Sequence, residues 1–96
     1  MTRPEQELVD WFAPQMAAKL RQNRHKPNWR GEHMVALLRC LRAEVDELEE
    51  ALAFYLSTSG ELRDGLAHQV YAEAADVANF AAFLADKVRA REERAI

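Results

Sequence analysis

The sequence predicts an all-α fold: a helical hairpin preceded by an N-terminal helix, completed to a four-helix bundle by self-association. Three observations carry that expectation. The stretch Tyr71–Lys87 is rich in alanine and holds neither glycine nor proline, the composition of a helix interior. Apolar residues recur at helical spacing in three separate segments, and no segment shows the alternation of a strand. The two longest segments are joined by the short turn-like stretch Ser57–Gly60, which suits an antiparallel hairpin.

The chain has 96 residues, room for one domain over 1–96 and for only a modest core, so an oligomer is a natural way to bury more surface. Apolar content is 49% and charged content 30%, which places it in the soluble globular class. A net charge of −3 argues against a general binder of nucleic acid polymers, because phosphate-backbone affinity needs a basic excess. The charge is uneven: Arg21, Arg24, His25, Lys26 and Arg30 cluster before residue 31, and the acids concentrate after it. A single cysteine, Cys40, excludes an intrachain disulfide and reads as a small buried hydrophobe. The first residues lack a signal-peptide pattern, and no run approaches the ~20 apolar residues of a membrane span. A cytoplasmic protein without membrane contact is expected.

The first helix is expected to open at Thr2, a capping residue, with Pro4 in its first turn. Leu8, Trp11, Phe12, Met16 and Leu20 mark its apolar face, with Trp11 in the core, and it ends near Asn23. Pro14 lies inside this pattern and is expected to kink or split the helix, since it removes a backbone donor. Arg24–Gly31 reads as a loop around Pro27. The second helix runs from about Glu32 to Leu56 through Met34, Leu37, Leu38, Leu41, Val45, Leu48, Leu52 and Tyr55. Glu61–Gly65 is expected as a short helical turn, with Gly65 its weak point. A third helix then runs from about Leu66 to Arg94, and its basic end suits the helix dipole.

The chemistry lies in the carboxylates. Glu73 and Asp76 are three apart and share one face of an alanine-lined helix, where unpaired charge is costly. In a hairpin centred on Gly60, Glu47 faces Glu73 and Glu44 faces Asp76. The same register sets Leu37 against Phe83 and Cys40 against Phe80. Four facing carboxylates cannot all stay ionised at neutral pH without a cation. An oxygen-only set suits Mg²⁺, or Mn²⁺. The competing reading is a solvated acidic stripe paired with Arg39, Arg42 and Arg63. Asp46, Glu49 and Glu50 read as solvated surface in either case. A di-iron bundle would need Glu-x-x-His pairs, and neither motif has a histidine in that place.

Glu44-x-x-Glu47 in LRAEVDELEEAL, Glu73-x-x-Asp76 in EAADVANFAAFLAD and the block KLRQNRHKPNW from Lys19 to Trp29 together resemble the MazG-like all-α nucleotide pyrophosphohydrolases, in their short single-module form. The resemblance covers about residues 8 to 88. It departs at Ala43, where many members have a further acid. What it implies is hydrolysis of a nucleoside triphosphate to monophosphate and pyrophosphate. Glu44, Glu47, Glu73 and Asp76 are then the Mg²⁺ ligands, Glu47 doubles as the base for the attacking water, and Lys26 contacts a phosphate. Trp29 offers a flat face for a base, or else pins the loop as a core anchor. Asn23 and Asn79 offer donor and acceptor groups to base or sugar. Arg24 and His25 either assist Lys26 or are solvated surface, and His33 and His68 read as surface or helix-end residues. A homodimer or homotetramer is expected. The alternative is a non-catalytic helical interaction module that retains the fold, a reading the alanine at position 43 keeps open.

Overall fold

The computed structural model describes residues 3–95 and is all-helical, with no strand among the described residues. Helix α1 spans Pro4–Gln22, α2 spans Met34–Ser57 and α3 spans Leu62–Arg94, with a single 3-10 turn at Trp29–Gly31 between α1 and α2. Among the described residues no helix is long and apolar enough to cross a membrane.

The cap expected at Thr2 lies outside the described residues; Arg3 occupies the N-cap and makes no side-chain bond there. Pro4 opens α1, and Glu5 and Glu7 place negative charge on its positive end. Pro14 does not split the helix, which runs unbroken past it. Its missing N–H leaves the Asp10 carbonyl without the usual partner four residues on, a loss tolerated on an exposed side of α1. The loop expected over Arg24–Gly31 holds local order at its end: the Asn28 side chain accepts from the Arg30 N–H at 2.9 Å. His33, expected near a helix end, starts α2 by accepting the Val35 N–H on Nδ1 at 3.1 Å, so the helix begins at Met34 rather than Glu32. Gly60 turns the chain between α2 and α3 with φ at 82°, a conformation that costs a residue with a Cβ. The separate turn expected at Glu61–Gly65 is absent. Helix α3 starts at Leu62 and passes through Gly65, because one glycine costs only ~1 kcal/mol in a long packed helix.

Helix α3 is the shared partner. Both α1 and α2 pack along it, and the 3-10 turn rests on its C-terminal half. Its 33 residues give a rod of about 50 Å, close to the 55 Å long axis of the molecule. Among the described residues the buried apolar ones are Leu37, Ala51 and Ala75, so the core is thin and alanine lets the hairpin close tightly. Two expectations about the core fail. Trp11 is 50% exposed, and it meets Tyr71 of α3 edge-on with ring centroids 5.3 Å apart. Cys40 is exposed too: it lies at the edge of the strip, Leu37 to Ala51, that α2 turns toward α3.

Candidate metal centre

The hairpin register expected from Gly60 brings three of the four carboxylates together. Glu44, Glu47 and Glu73 each offer an oxygen, and these oxygens lie within 4.8 Å of one another. The i, i+3 spacing stacks Glu44 over Glu47 on α2, and the short link 58–61 sets Glu73 of α3 against them. Glu47 is exposed, whereas Glu44 and Glu73 are half-buried. The Oε2 atoms of both Glu44 and Glu73 are buried without a hydrogen-bond partner. Gln69 satisfies only the other oxygen of Glu73, donating to Oε1 at 2.7 Å.

The electrostatics follow from that crowding. Burial, then a hydrogen bond with Glu47, then the charges of Asp76, Glu47 and Glu73 push the Glu44 carboxyl up to about 7. Burial and the charge of Glu47 also raise Glu73, against the opposing bond from Gln69. Such a site attracts positive charge, and its oxygen-only donors and orphaned buried oxygens fit a hard divalent cation. Pairing of the acidic stripe with Arg39, Arg42 and Arg63 is not seen among the described residues. Arg63 lies over the Tyr55 ring at 4.6 Å, and neither Arg39 nor Arg42 is among the ion-paired residues described.

Asp76 stands slightly apart. It is half-buried and paired with Lys19 of α1, Nζ to Oδ2 at 3.3 Å. Lys19 opens the block KLRQNRHKPNW, and the sequence alone assigns it no role. Its position three residues after Met16 puts it on the α1 face that meets α3, which was the available signal. Lys26, expected to contact phosphate, is exposed and forms no ion pair among the described residues, and Arg24 and His25 are exposed beside it. They sit beyond the end of α1, where no helix face aims them inward. Asn23 is the half-buried C-cap of α1.

A cavity of about 410 Å³ opens one turn further along α3, lined by Met16, Leu20, Trp29, Asn79, Phe83 and Asp86 among others. Asn79 is only 4% exposed and faces α1, donating through Nδ2 to the Met16 carbonyl at 3.2 Å. Its Oδ1 is buried without a partner. Trp29 stacks on Phe83 at 4.6 Å with planes 7° apart, and its Nε1 donates to Asp86 at 3.0 Å. It therefore pins the loop to α3, one of the two roles expected of it. Asp86 was missed in the sequence. It gathers Trp29, Arg89 and Arg30, and the Trp29 bond, followed by the Arg89 bond, holds its carboxyl below the usual range. Lys87 adds a second tie, donating to the Arg30 carbonyl at 2.9 Å.

No family model, curated protein or solved structure matches the chain.

Proposed function

We propose that the chain is a divalent-cation-dependent nucleoside triphosphate pyrophosphohydrolase of the MazG-like kind, converting a ribo- or deoxyribonucleoside triphosphate to its monophosphate and pyrophosphate. One observation carries the reading: Glu44, Glu47 and Glu73 converge to within 4.8 Å, and two of their oxygens are buried without partners. These three residues, with Asp76 beside them, would hold Mg²⁺ or Mn²⁺. When bound, the cation supplies positive charge to phosphate oxygens and lowers the pKa of a water.

The remaining roles belong to the chain itself. Glu47, the exposed carboxylate of the cluster, is placed to take the proton of an attacking water. Lys19 replaces Lys26 as the ammonium next to the carboxylates, where it steadies Asp76 and offers a point charge to a phosphate oxygen. The apolar cavity beyond Asn79 takes the base, with Trp29 and Phe83 as its aromatic wall. In this reading the protein works in the cytoplasm as a homo-oligomer whose hairpins complete a four-helix bundle.

The test is pyrophosphate release from a panel of ribo- and deoxyribonucleoside triphosphates, with Mg²⁺ and with chelator. Metal-dependent release that Glu73→Ala abolishes in a folded protein supports the proposal. No release from folded, Mg²⁺-supplemented protein across the panel overturns it. The second reading, a non-catalytic interaction module, is favoured by the apolar surface α2 leaves open. It is supported if the folded, Mg²⁺-supplemented protein shows no turnover and Glu73→Ala alters partner binding or does nothing.

A further inference from the structure

A second cavity, of about 540 Å³, lies where the 3-10 turn meets the C-terminal end of α3, and Arg30, Asp86, Lys87, Arg89, Glu93 and Arg94 line it. Its acids do not neutralise its cations evenly. Asp86 is taken up by Arg30 and Arg89, as well as by the Trp29 Nε1. Lys87 and Arg94 are instead held by uncharged groups. Lys87 Nζ donates to the Arg30 carbonyl at 2.9 Å, and Arg94 Nε donates to the Ala90 carbonyl at 3.3 Å. Neither meets a carboxylate in the described ion pairs. A carbonyl orients an ammonium or a guanidinium without cancelling its charge, and both side chains keep further N–H donors. The dipole of α3 accounts for the arginines of its last turn, Arg91 and Arg94, but fades within that turn. It accounts neither for Lys87, further back along the helix, nor for Arg30, delivered by a loop 57 positions away.

This end of the molecule is basic as a whole. Residues 21–32 and 86–94, joined through Trp29 and Arg30, hold eight lysines and arginines against four acids, whereas the rest of the chain holds five against twelve. Charge so divided draws anions to this pole and divalent cations to the carboxylate cluster. The cavity is no extension of that cluster: along α3, Lys87 lies about 16 Å and Arg94 about 27 Å beyond Asp76. Four cations against two acids leave the lining with an excess of two positive charges, which matches a doubly charged oxyanion. We propose that this cavity binds a phosphate dianion without a divalent cation, either free, in pyrophosphate, or as the phosphate of a nucleoside monophosphate. Seated between Arg30 of the loop and Lys87 and Arg94 of α3, the anion ties the loop to the helix. It thereby steadies Trp29, which forms part of the wall of the neighbouring cavity. The site stands apart from the proposed reaction, since it uses none of the four carboxylates.

The test is calorimetric titration of the full chain with inorganic phosphate at pH 8, in chelator, with sodium chloride holding the ionic strength constant. Saturable binding is expected. Lys87→Ala and Arg94→Ala should each weaken it about tenfold, the worth of one charge-assisted hydrogen bond. Lys87→Ala also releases the Arg30 carbonyl, whereas Arg94→Ala leaves the loop untouched, so the second variant decides the matter. Arg91→Ala removes the same charge from the same helix end but outside the lining, and should weaken binding by less than about twofold. Glu73→Ala should leave the affinity unchanged. Circular dichroism confirms that each variant folds. Pyrophosphate and a nucleoside monophosphate, titrated in parallel, identify the source of the phosphate: whichever binds tightest, with the same dependence on Arg94, is the preferred form. Failure of inorganic phosphate to bind overturns the proposal, including the case in which the nucleoside monophosphate alone binds, which would credit the neighbouring cavity. Equal losses in Arg91→Ala and Arg94→Ala also overturn it, and would reduce the site to a diffuse basic helix end.

Discussion

Glu44→Gln is expected to stabilise the metal-free protein at alkaline pH, although it removes a candidate ligand. The Glu44 carboxyl is pushed up to about 7 in the fold, from an ordinary 4.5. Its proton is therefore held more tightly in the folded than in the unfolded chain. Below pH ~4.5 both states are protonated and folding carries no penalty from this group. As pH rises through 7 the folded carboxyl is forced to ionise beside Glu47, Glu73 and Asp76, and stability is lost. A gap of two to three pH units corresponds to about 3 kcal/mol. Glu44 is partly solvated, so screening reduces this, and about 1 to 2 kcal/mol is the working figure. Urea unfolding in chelator at pH 5, 6, 7 and 8, at fixed protein concentration, reads it directly. The wild-type midpoint should fall toward pH 8 by about 1 M, given a slope of 1 to 2 kcal/mol per molar for a chain this small. Glu44→Gln should flatten the profile and exceed the wild type at pH 8. Adding Mg²⁺ at pH 8 should rescue the wild type more than the variant. A Glu44→Gln protein less stable than wild type at pH 8, or a wild type that gains stability as pH rises from 5 to 8, would refute the account of the cluster.

Lys19→Ala leaves Asp76 unpaired beside three glutamates, and is expected to cost about 1 to 2 kcal/mol in chelator by urea unfolding, a loss that Mg²⁺ reduces. Under the proposed function it also lowers pyrophosphate release far more than Lys26→Ala. Two glycine substitutions should act in opposite directions on the urea midpoint. Gly60→Ala is strained at φ 82° and costs about 1 kcal/mol, whereas Gly65→Ala lies in open space within α3 and gains about 0.5 to 1 kcal/mol. Asp86→Asn removes a carboxylate whose depressed pKa contributes stability above its unfolded value, lost as pH falls through the folded one. The variant should flatten the acid side of the stability profile and shift the Trp29 fluorescence. An unchanged spectrum would deny the Trp29–Asp86 bond its role in anchoring the loop.

The helices and their pairing were legible in the sequence for a simple reason. Periodicity and alanine content act through local geometry, and a short link around Gly60 leaves a hairpin few registers. That register alone set Glu44 and Glu47 against Glu73. The sequence also showed that so short a chain has little core to bury. What it could not decide depended on α1, whose angle against α3 is not written in any local pattern. That angle put Lys19 rather than Lys26 beside Asp76, turned Asn79 toward the Met16 carbonyl and left Trp11 half in solvent. The loop is similar: Trp29 had two readings until the fold supplied Phe83 and Asp86 as partners from 54 and 57 positions away. Exposure of Cys40 and of Val35, Leu38, Leu52 and Leu56 on α2 had the same origin, since helical spacing names apolar faces but does not say how many of them a single chain has partners to cover. Contacts between residues close in sequence follow from backbone geometry, while contacts between distant ones follow from which surfaces compete for burial, and only the assembled helices settle that competition.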